Sequence, residues 1–313
     1  MEIIRCNLCG TSAFQLLHSL PDWHFGLDDR LFDFVKCSQC GLVYQNPRLT
    51  IEEIGAYYPQ DYECYRVVDS QKQPSWLMKR LIRFGFTKRW NAILKYKSHG
   101  RLLDVGCATG NFLDHMKRNS QWSLQGIEIS PDAAGLARSR GLDVTVGSLD
   151  QIHFEKETFD AITLWDVLEH LHDPSKALAE IFTILKQDGI LVFRVPNLDS
   201  WDYRLFKQYW SGFETPRHLY IYTQTTLKSL LEKSGFKIVQ TGSEFGSFMT
   251  IILDIRFWLT AKGVSKAAVN RISKVLYHPV LRMILSPIAA VLSVILPGPS
   301  LTIVAMKVPT ADA

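Results

Sequence analysis

The sequence predicts an α/β fold in which helices flank a parallel sheet. From about residue 99 onward, short apolar runs typical of buried strands alternate with helical segments. The first of these runs, Leu102–Val105, is followed by a glycine turn and the start of a helix. Hydrophobic residues make up 47% of the 313 residues, which is enough for a packed core.

The glycine turn after the first strand predicts a ligand cradle. Gly106 and Gly110 let the backbone turn tightly and approach a ligand closely, and the helix that starts near Phe112 offers free N–H groups with a partial positive charge. The second strand ends on Glu128, and an acidic side chain at that position is well placed to accept hydrogen bonds from a ribose diol. The pattern therefore indicates a cofactor that contains a nucleoside.

Two kinds of nucleoside cofactor could use such a cradle. A dinucleotide favours a fuller glycine fingerprint, with glycines where this chain has Ala108 and Asn111. Their absence weakens the nicotinamide interpretation.

Four segments follow one another in the order of a known set of motifs. They are Asp104–Gly110 (DVGCATG), the acidic Glu128, Phe159–Pro174 (FDAITLWDVLEHLHDP) and Leu185–Val192 (LKQDGILV). In this order they resemble the motifs of class I S-adenosylmethionine-dependent methyltransferases. The resemblance covers residues 99–241 and a closing strand near 301–307, and it implies a Rossmann-like, seven-stranded sheet. It departs from the family at Ala108, where the family has glycine.

The resemblance also implies S-adenosylmethionine as the cofactor and a set of residues around it. The glycine turn would border the methionine end, the tip of the second strand would hold the ribose, the tip of the third would contact adenine, and the fourth would line the floor. The implied cofactor-binding residues are Asp104, Gly106, Cys107, Gly110, Glu128, Ile129, Ser148, Leu149, Trp165 and Asp166. We expect this methyltransferase domain to span residues 99–245 and 300–308.

Two cysteine pairs near the amino terminus predict a metal site. Cys6 and Cys9, and then Cys37 and Cys40, have the two-residue spacing that aims two thiolates at one ion, and a glycine follows each pair. Four thiolates complete a tetrahedral Zn²⁺ site with no open position, so the zinc should be structural. A redox pair is the weaker alternative, because neither pair starts a helix of an α/β unit. Residues 1–48 are therefore predicted to form a zinc ribbon.

Zinc ribbons often bind nucleic acid, but the charges of residues 1–48 are mixed and show no basic stripe, which disfavours that partner. The ribbon-bearing subgroup that this layout resembles acts in deoxysugar and surface-glycan biosynthesis, which implies a ribbon that helps to wall the acceptor pocket. Tyr62 and Tyr65 are then candidate platforms for a sugar or nucleotide. The alternative is that they pack the ribbon onto the domain.

Residues 49–98 are predicted to be a linker and cap helices. The segment 72–101 has nine Lys and Arg residues and no acidic residue, with apolar residues at helical spacing and a break near Gly85. One interpretation is a cap with a solvated basic face; the other is attraction to phosphates of a nucleotide sugar or an anionic lipid.

Residues 246–299 form a hydrophobic, basic and helical insertion before the last strand. The apolar run Val280–Leu296 is short for a bilayer span and is interrupted by Arg282 and Pro287, so interfacial binding to a membrane or to a lipid-linked acceptor fits better. The alternatives are packing on the domain and a homodimer contact. Because the amino terminus lacks a secretory pattern, we expect a cytoplasmic protein. Interfacial binding through residues 246–299 would place it at the inner face of the membrane.

Two histidines are candidate bases. Methyl transfer from a sulfonium is an in-line displacement, so catalysis is mostly positioning, and an oxygen acceptor must also lose its proton. His170 follows the fourth strand and His218 the fifth, and histidine titrates near neutral pH. Glu214 and Arg217 are candidate acceptor-orienting neighbours. The alternatives are that His170 caps a loop and that His218 fixes a nearby segment.

The predicted function is methyl transfer from S-adenosylmethionine to a small-molecule or lipid-linked acceptor, with a sugar in glycan biosynthesis as the first choice. One alternative is a quinone or lipid methyltransferase at the membrane surface. Another is an RNA methyltransferase or RNA-binding module, which the mixed charge of the ribbon disfavours. A non-catalytic scaffold is disfavoured by the intact glycine turn and Glu128.

Overall fold

The structure is a computed structural model that describes residues 1–59, 76–118, 121–242, 247–278, 281, 283–284, 287, 291 and 296–308. Tyr62 and Tyr65, the candidate aromatic platforms, lie outside these described residues. The chain divides into two compact units. The first unit comprises Met1–Tyr57, Val195–Ser229 and Gly242–Thr302, and the second comprises Tyr58–Arg194, Leu230–Thr241 and Ile303–Ala313.

Strands and helices alternate through the second half of the chain, as the sequence predicts. Within the described residues the strands are β1 (Phe14–Leu20), β2 (Phe32–Cys37), β3 (Val43–Gln45), β4 (Arg101–Val105), β5 (Ser123–Glu128), β6 (Val144–Val146), β7 (Phe159–Trp165), β8 (Leu185–Pro196), β9 (Tyr220–Ile221), β10 (Phe236–Gly242) and β11 (Ser300–Lys307). The helices are α1 (Ile51–Ile54), α2 (Trp76–Leu94), α3 (Asn111–Lys117), α4 (Pro131–Ser139), α5 (Pro174–Ile184), α6 (Trp201–Phe206), α7 (Gln224–Lys233), α8 (Ser247–Ala261) and α9 (Lys266–Leu276). Short 3-10 turns occur at Gly55–Tyr57, Leu168–His170, Lys207–Tyr209 and Ser211–Phe213.

The second unit is built on a seven-stranded sheet with the order β10-β11-β8-β7-β4-β5-β6. Its strands β6, β5, β4, β7 and β8 pair in parallel. Every residue of β4 after Arg101 is buried, as expected for a strand covered by helices on both faces. The sequence prediction of an α/β fold with a seven-stranded sheet is confirmed.

Side chains from α2, α3 and α4 pack on this sheet and form the core of the second unit. Trp90 and Ile93 of α2 join Phe112 and Met116 of α3 in one cluster with strand residues such as Ile190. Burying a side chain of this size contributes roughly 1.5–3 kcal/mol. The core therefore fixes the helix that follows the glycine turn.

The predicted break near Gly85 is wrong, because α2 is one continuous helix from Trp76 to Leu94. A glycine inside a helix costs only about 1 kcal/mol. The burial of Trp90 and Ile93 on the same helix outweighs this cost. Gly85 itself is exposed and a Cβ there would meet no neighbour, so its place in the helix is not a packing requirement.

The first unit contains a four-stranded sheet with the order β1-β2-β3-β9, in which each neighbouring pair is antiparallel. Its fourth strand, β9, comes from the segment that the sequence assigned to the methyltransferase domain. A hydrophobic cluster of Phe34, Val43, Trp210, Phe213 and Ile221 holds the two segments together. The amino-terminal ribbon is thus completed by residues that follow the fifth strand of the large sheet.

The four cysteines of the ribbon meet, as predicted. The Sγ atoms of Cys6 and Cys40 are 3.4 Å apart, and those of Cys9 and Cys37 are 3.5 Å apart. All four Sγ atoms lie within 4.8 Å of one another. A tetrahedral zinc with bonds of about 2.3 Å separates its sulfurs by about 3.8 Å, so the cluster fits this ion.

Glycine turns aim both cysteine pairs at the same point. The N–H of Gly10 donates to the carbonyl of Cys6 at 2.8 Å, and the N–H of Gly41 donates to the carbonyl of Cys37 at 3.1 Å. Both glycines have positive φ angles, +77° and +78°, a conformation that disfavours other residues. The glycine after each pair is therefore part of the metal-binding turn.

A buried ion pair links three parts of the first unit. The guanidinium of Arg217, with no exposed surface, donates to Asp22 Oδ1 at 2.9 Å. It also donates to the carbonyl oxygens of Tyr57 at 3.1 Å and Thr215 at 3.0 Å, and its Cζ lies 4.8 Å from the centre of the Phe25 ring. These partners offset the cost of burying the guanidinium, which is high unless its charge and N–H groups are satisfied.

We expect the purified protein to hold one zinc ion per chain, bound by the four-cysteine cluster. Replacing Cys37 with serine should release the zinc and lower the melting temperature of the first unit, because structural zinc contributes directly to folding. Metal analysis and thermal unfolding of the same sample measure both effects. The matched control is Cys107→Ser, a buried cysteine outside the cluster, which should keep its zinc. A zinc-free wild-type protein that unfolds like the Cys37→Ser variant would contradict the assignment.

Candidate functional site

The turn between β4 and α3 has the tight backbone that a ligand cradle needs. Gly106, Ala108 and Gly110 have positive φ angles of +69°, +49° and +75°. A Cβ added at Gly106 would lie 2.6 Å from Val167 Cγ2, and one at Gly110 would lie 2.4 Å from Leu142 Cδ1. Both glycines are therefore required by conformation and by packing, and Ala108 adopts the strained conformation between them.

Glu128 holds this turn in place from the end of β5. Its Oε2 accepts the N–H of Ala108 at 2.8 Å, and its Oε1 accepts the N–H of Ser130 at 2.9 Å. Burial raises the pKa of this carboxyl group, while hydrogen bonds from the backbone N–H groups of Ser130, Ala108 and Ile129 oppose that rise. A carboxylate has about four acceptor positions. The acceptor capacity that remains suits a ribose hydroxyl, and ribose is the ligand that the sequence predicted here.

Asp104 lies on β4 beneath the turn and is completely buried. The hydroxyl of Thr163 on β7 donates to Asp104 Oδ1 at 2.6 Å. Burial raises the pKa of Asp104 to about 7, against the lowering effects of the Thr163 hydrogen bond and the charge of Arg89. This carboxyl group can therefore exchange a proton near neutral pH.

Two arginines hold the predicted floor of the cradle. Arg194 Nε donates to Asp166 Oδ1 at 2.7 Å, and its Nη2 donates to the second oxygen of the same carboxylate. Arg89 of α2 lies 3.9 Å from that second oxygen, and its guanidinium stacks 4.7 Å from the centre of the Trp165 ring. The indole N–H of Trp165 is buried and has no hydrogen-bond partner among the described residues. A polar ligand group at this floor would satisfy it.

Sequence reasoning did not identify Arg89 and Arg194 as part of the floor. In the sequence, Arg89 is one of the nine basic residues of segment 72–101, and nothing distinguishes it from the others. Arg194 is a charged residue in an otherwise apolar buried strand, LVFRVP, and such a residue usually has a specific partner. That signal could have identified Arg194 before the structure.

The remaining predicted cofactor residues lie around the same carboxyl edge of the sheet or in its turn. Cys107 is buried inside the turn, and burial raises the pKa of its thiol. Ile129 follows β5 with 62% of its surface exposed. The Ser148 hydroxyl donates to Asp150 at 2.5 Å, and the neighbouring Leu149 is buried. Contact between these residues and the cofactor stays a prediction.

His170 is placed by the 3-10 turn directly after β7. Its Nδ1 lies 3.0 Å from the hydroxyl oxygen of Tyr58, and either atom can be the donor. The neighbouring Glu169 is fully buried. The tyrosine hydroxyl thus helps to orient the ring, and this contact is compatible with either tautomer.

His218 lies in the first unit together with the two residues predicted to be its neighbours. Its Nδ1 is 2.8 Å from the carbonyl oxygen of Gly212, which can only accept, so Nδ1 carries a proton. Its Nε2 lies 3.5 Å from Glu214 Oε2, and Arg217 Nε donates to Glu214 Oε1 at 3.2 Å. Because Arg217 is fully buried in its pair with Asp22, it can influence an acceptor only through Glu214.

Comparisons with known proteins agree with the fold. The methyltransferase-domain family matches residues 75–241, more than half of the chain. The ubiquinone/menaquinone biosynthesis C-methyltransferase of Geobacter sulfurreducens is 28% identical over 153 residues, which are 44% of this chain and 58% of that protein. The demethylmenaquinone methyltransferase of Thermobifida fusca is 27% identical over 126 residues, which are 37% of this chain and 53% of that protein. The chain thus spans less than two thirds of the length of these two curated relatives.

A solved structure shares the overall fold. It is that of a Galdieria sulphuraria protein assigned as a sarcosine dimethylglycine methyltransferase, with 15% identity, a TM-score of 0.50, and coverage of 73% of this chain and 86% of that one. Such a low identity supports the fold alone. With the family match over residues 75–241, the sheet order and the glycine turn lead to one conclusion: the chain belongs to the methyltransferase-domain family and has the class I S-adenosylmethionine-dependent methyltransferase fold.

Proposed function

We propose that this chain transfers a methyl group from S-adenosylmethionine to the ring of a quinone or of a similar lipid-linked acceptor. The observation that carries the cofactor assignment is Glu128, a buried strand-end carboxylate that holds the turn and retains acceptor capacity for a ribose hydroxyl. When bound, S-adenosylmethionine supplies the electrophilic methyl group. The residues of the chain must meet two further requirements: they hold the cofactor, and they remove a proton from the acceptor.

Different residues of the cradle bind different parts of this cofactor. Glu128 binds the ribose hydroxyls, and the turn from Gly106 to Gly110 allows close approach of the methionine end. The Trp165 indole N–H and the Asp166–Arg194 pair offer hydrogen bonds and charge at the floor. Arg89, stacked on Trp165, covers that floor with the α2 helix and excludes water.

The second requirement is removal of a proton from the acceptor, and the His218–Glu214 pair fits it. The Gly212 carbonyl holds the proton on Nδ1, which leaves Nε2 as the basic end of the ring. Once Nε2 takes a proton, the Glu214 carboxylate 3.5 Å away stabilises the positive charge. His170, oriented by Tyr58, is the alternative base.

The acceptor class rests on the named relatives. Both curated relatives described above methylate quinone precursors according to their names, and they match the catalytic region of this chain. A sugar of glycan biosynthesis is the second candidate, and the four-cysteine ribbon favours it because of the subgroup that the ribbon resembles. An RNA acceptor has no comparable support.

An acceptor assay separates the two candidates. We expect label from methyl-labelled S-adenosylmethionine to enter organic-soluble products when demethylated quinones are supplied, and not water-soluble products when nucleotide sugars are supplied. Each reaction is extracted with solvent and both phases are counted. Label that enters only the nucleotide-sugar products would overturn the quinone assignment and leave the cofactor assignment intact.

Replacing Glu128 with glutamine should weaken S-adenosylmethionine binding by at least about tenfold, because an NH2 group, which only donates, replaces one carboxylate oxygen that could accept from a hydroxyl. Calorimetric titration of zinc-loaded protein measures the affinity. The exposed Glu155→Gln is the matched control and should bind as the wild type does. Equal affinity of the Glu128→Gln variant and the control would remove Glu128 from the site.

Replacing His218 with alanine should lower turnover by about 10²–10⁴-fold without changing cofactor affinity, because the loss affects only proton removal. His170→Ala tests the alternative base in the same assay. The exposed His153→Ala serves as the control. If His218→Ala turns over like the control, His218 has no part in the chemistry.

A further inference from the structure

The carboxyl-terminal segment of the first unit has exposed apolar side chains, and its charged residues are all basic. Residues 255–305 include no aspartate or glutamate. The basic residues in this range are Arg256, Lys262, Lys266, Arg271, Lys274 and Arg282. Such a segment is attracted to an anionic surface.

The helices of this segment are anchored in the first unit on their inner side. On α8, Ile252 and Phe257 are buried, and Asp254 Oδ1 accepts the N–H of Ser211 at 2.6 Å. On α9, Val269 and Ser273 are buried. Because both helices use their inner side for packing, their outer sides are presented in a fixed orientation.

The outer face of α9 includes Arg271, Ile272, Lys274 and Val275, all exposed, and Lys266 is exposed at the first residue of the helix. Ile272 is 38% and Val275 59% exposed, and at this spacing they form one apolar strip beside the cations. Exposed apolar side chains continue at the helical positions Met283 (65%), Ile284 (57%) and Val291 (57%). Apolar and cationic side chains arranged in this way are typical of helices that lie in a membrane interface.

We propose that the outer face of α9 docks on an anionic lipid bilayer and lies in the plane of its surface. None of the helices in the described part of the chain is long and apolar enough to cross a membrane, which agrees with docking in the plane. A second copy of this chain is a poor occupant, because a two-fold contact would bring identical cationic faces together. Nucleic acid would leave Ile272 and Val275 without apolar partners. The proposal depends on the first unit alone and not on the acceptor.

Vesicle sedimentation of the full, zinc-loaded chain tests the proposal. We expect binding to vesicles of phosphatidylcholine with about one third phosphatidylglycerol to be at least about tenfold tighter than binding to phosphatidylcholine alone, since each basic residue near an anionic surface contributes about 1 kcal/mol. High salt should release the protein from the anionic vesicles. Binding that is equal for both vesicles, or absent from both, overturns the proposal.

Two sets of substitutions assign the binding to α9. Replacing Lys266, Arg271 and Lys274 together with glutamine should weaken binding to anionic vesicles by at least about tenfold, and Ile272→Asp with Val275→Asp should weaken it by a similar factor. The control is Leu16→Asp on β1 of the same unit, where the side chain is 63% exposed. Zinc content and circular dichroism report whether each variant folds. If both folded variants bind like the wild type, or if the apolar variant only dissociates a dimer, α9 is not the docking surface.

Discussion

A single buried carboxylate, that of Glu128, connects the register of the large sheet to the conformation of the cofactor turn. β4 and β5 pair in parallel with Val105 opposite Ile127, and this register brings Glu128 beside the turn that follows Val105. There it accepts the N–H of Ala108, the turn residue that has a positive φ without being glycine. It also accepts the N–H of Ser130, which caps α4. The proposed ribose contact and the stability of the turn therefore depend on the same side chain.

The basic segment before β4, residues 72–101, contributes a side chain to the floor of the cradle. Arg89 comes from that segment, yet it stacks on Trp165 and approaches Asp166 inside the second unit. With Arg194 on the same carboxylate, two positive charges face one negative charge. Part of the basic segment therefore has a structural partner, and the choice between a solvated face and a phosphate site applies to the exposed remainder of α2.

Patterns of neighbouring residues predicted most of the fold and the cradle. Contacts between residues far apart in the chain could not be predicted from the sequence. The cysteine spacing and the glycine turn each depend on a few consecutive residues, so they could be identified directly. By contrast, β9 has only two residues and pairs with β3 across most of the chain, so it leaves no periodic signal. The Arg217–Asp22 pair is equally non-local, so the sequence did not predict that Arg217 is buried against Asp22.

The two candidate bases differ in how firmly their tautomers are set. One partner of His170 is a tyrosine hydroxyl, which can donate or accept, so this hydrogen bond does not fix which ring nitrogen carries the proton. The partner of His218 is a backbone carbonyl, which accepts only and fixes the proton on Nδ1. A base gains from a defined tautomer and from a nearby negative charge once it is protonated. The His218 arrangement provides both, through the proton fixed on Nδ1 and the Glu214 carboxylate. It is therefore the better preorganised base of the two.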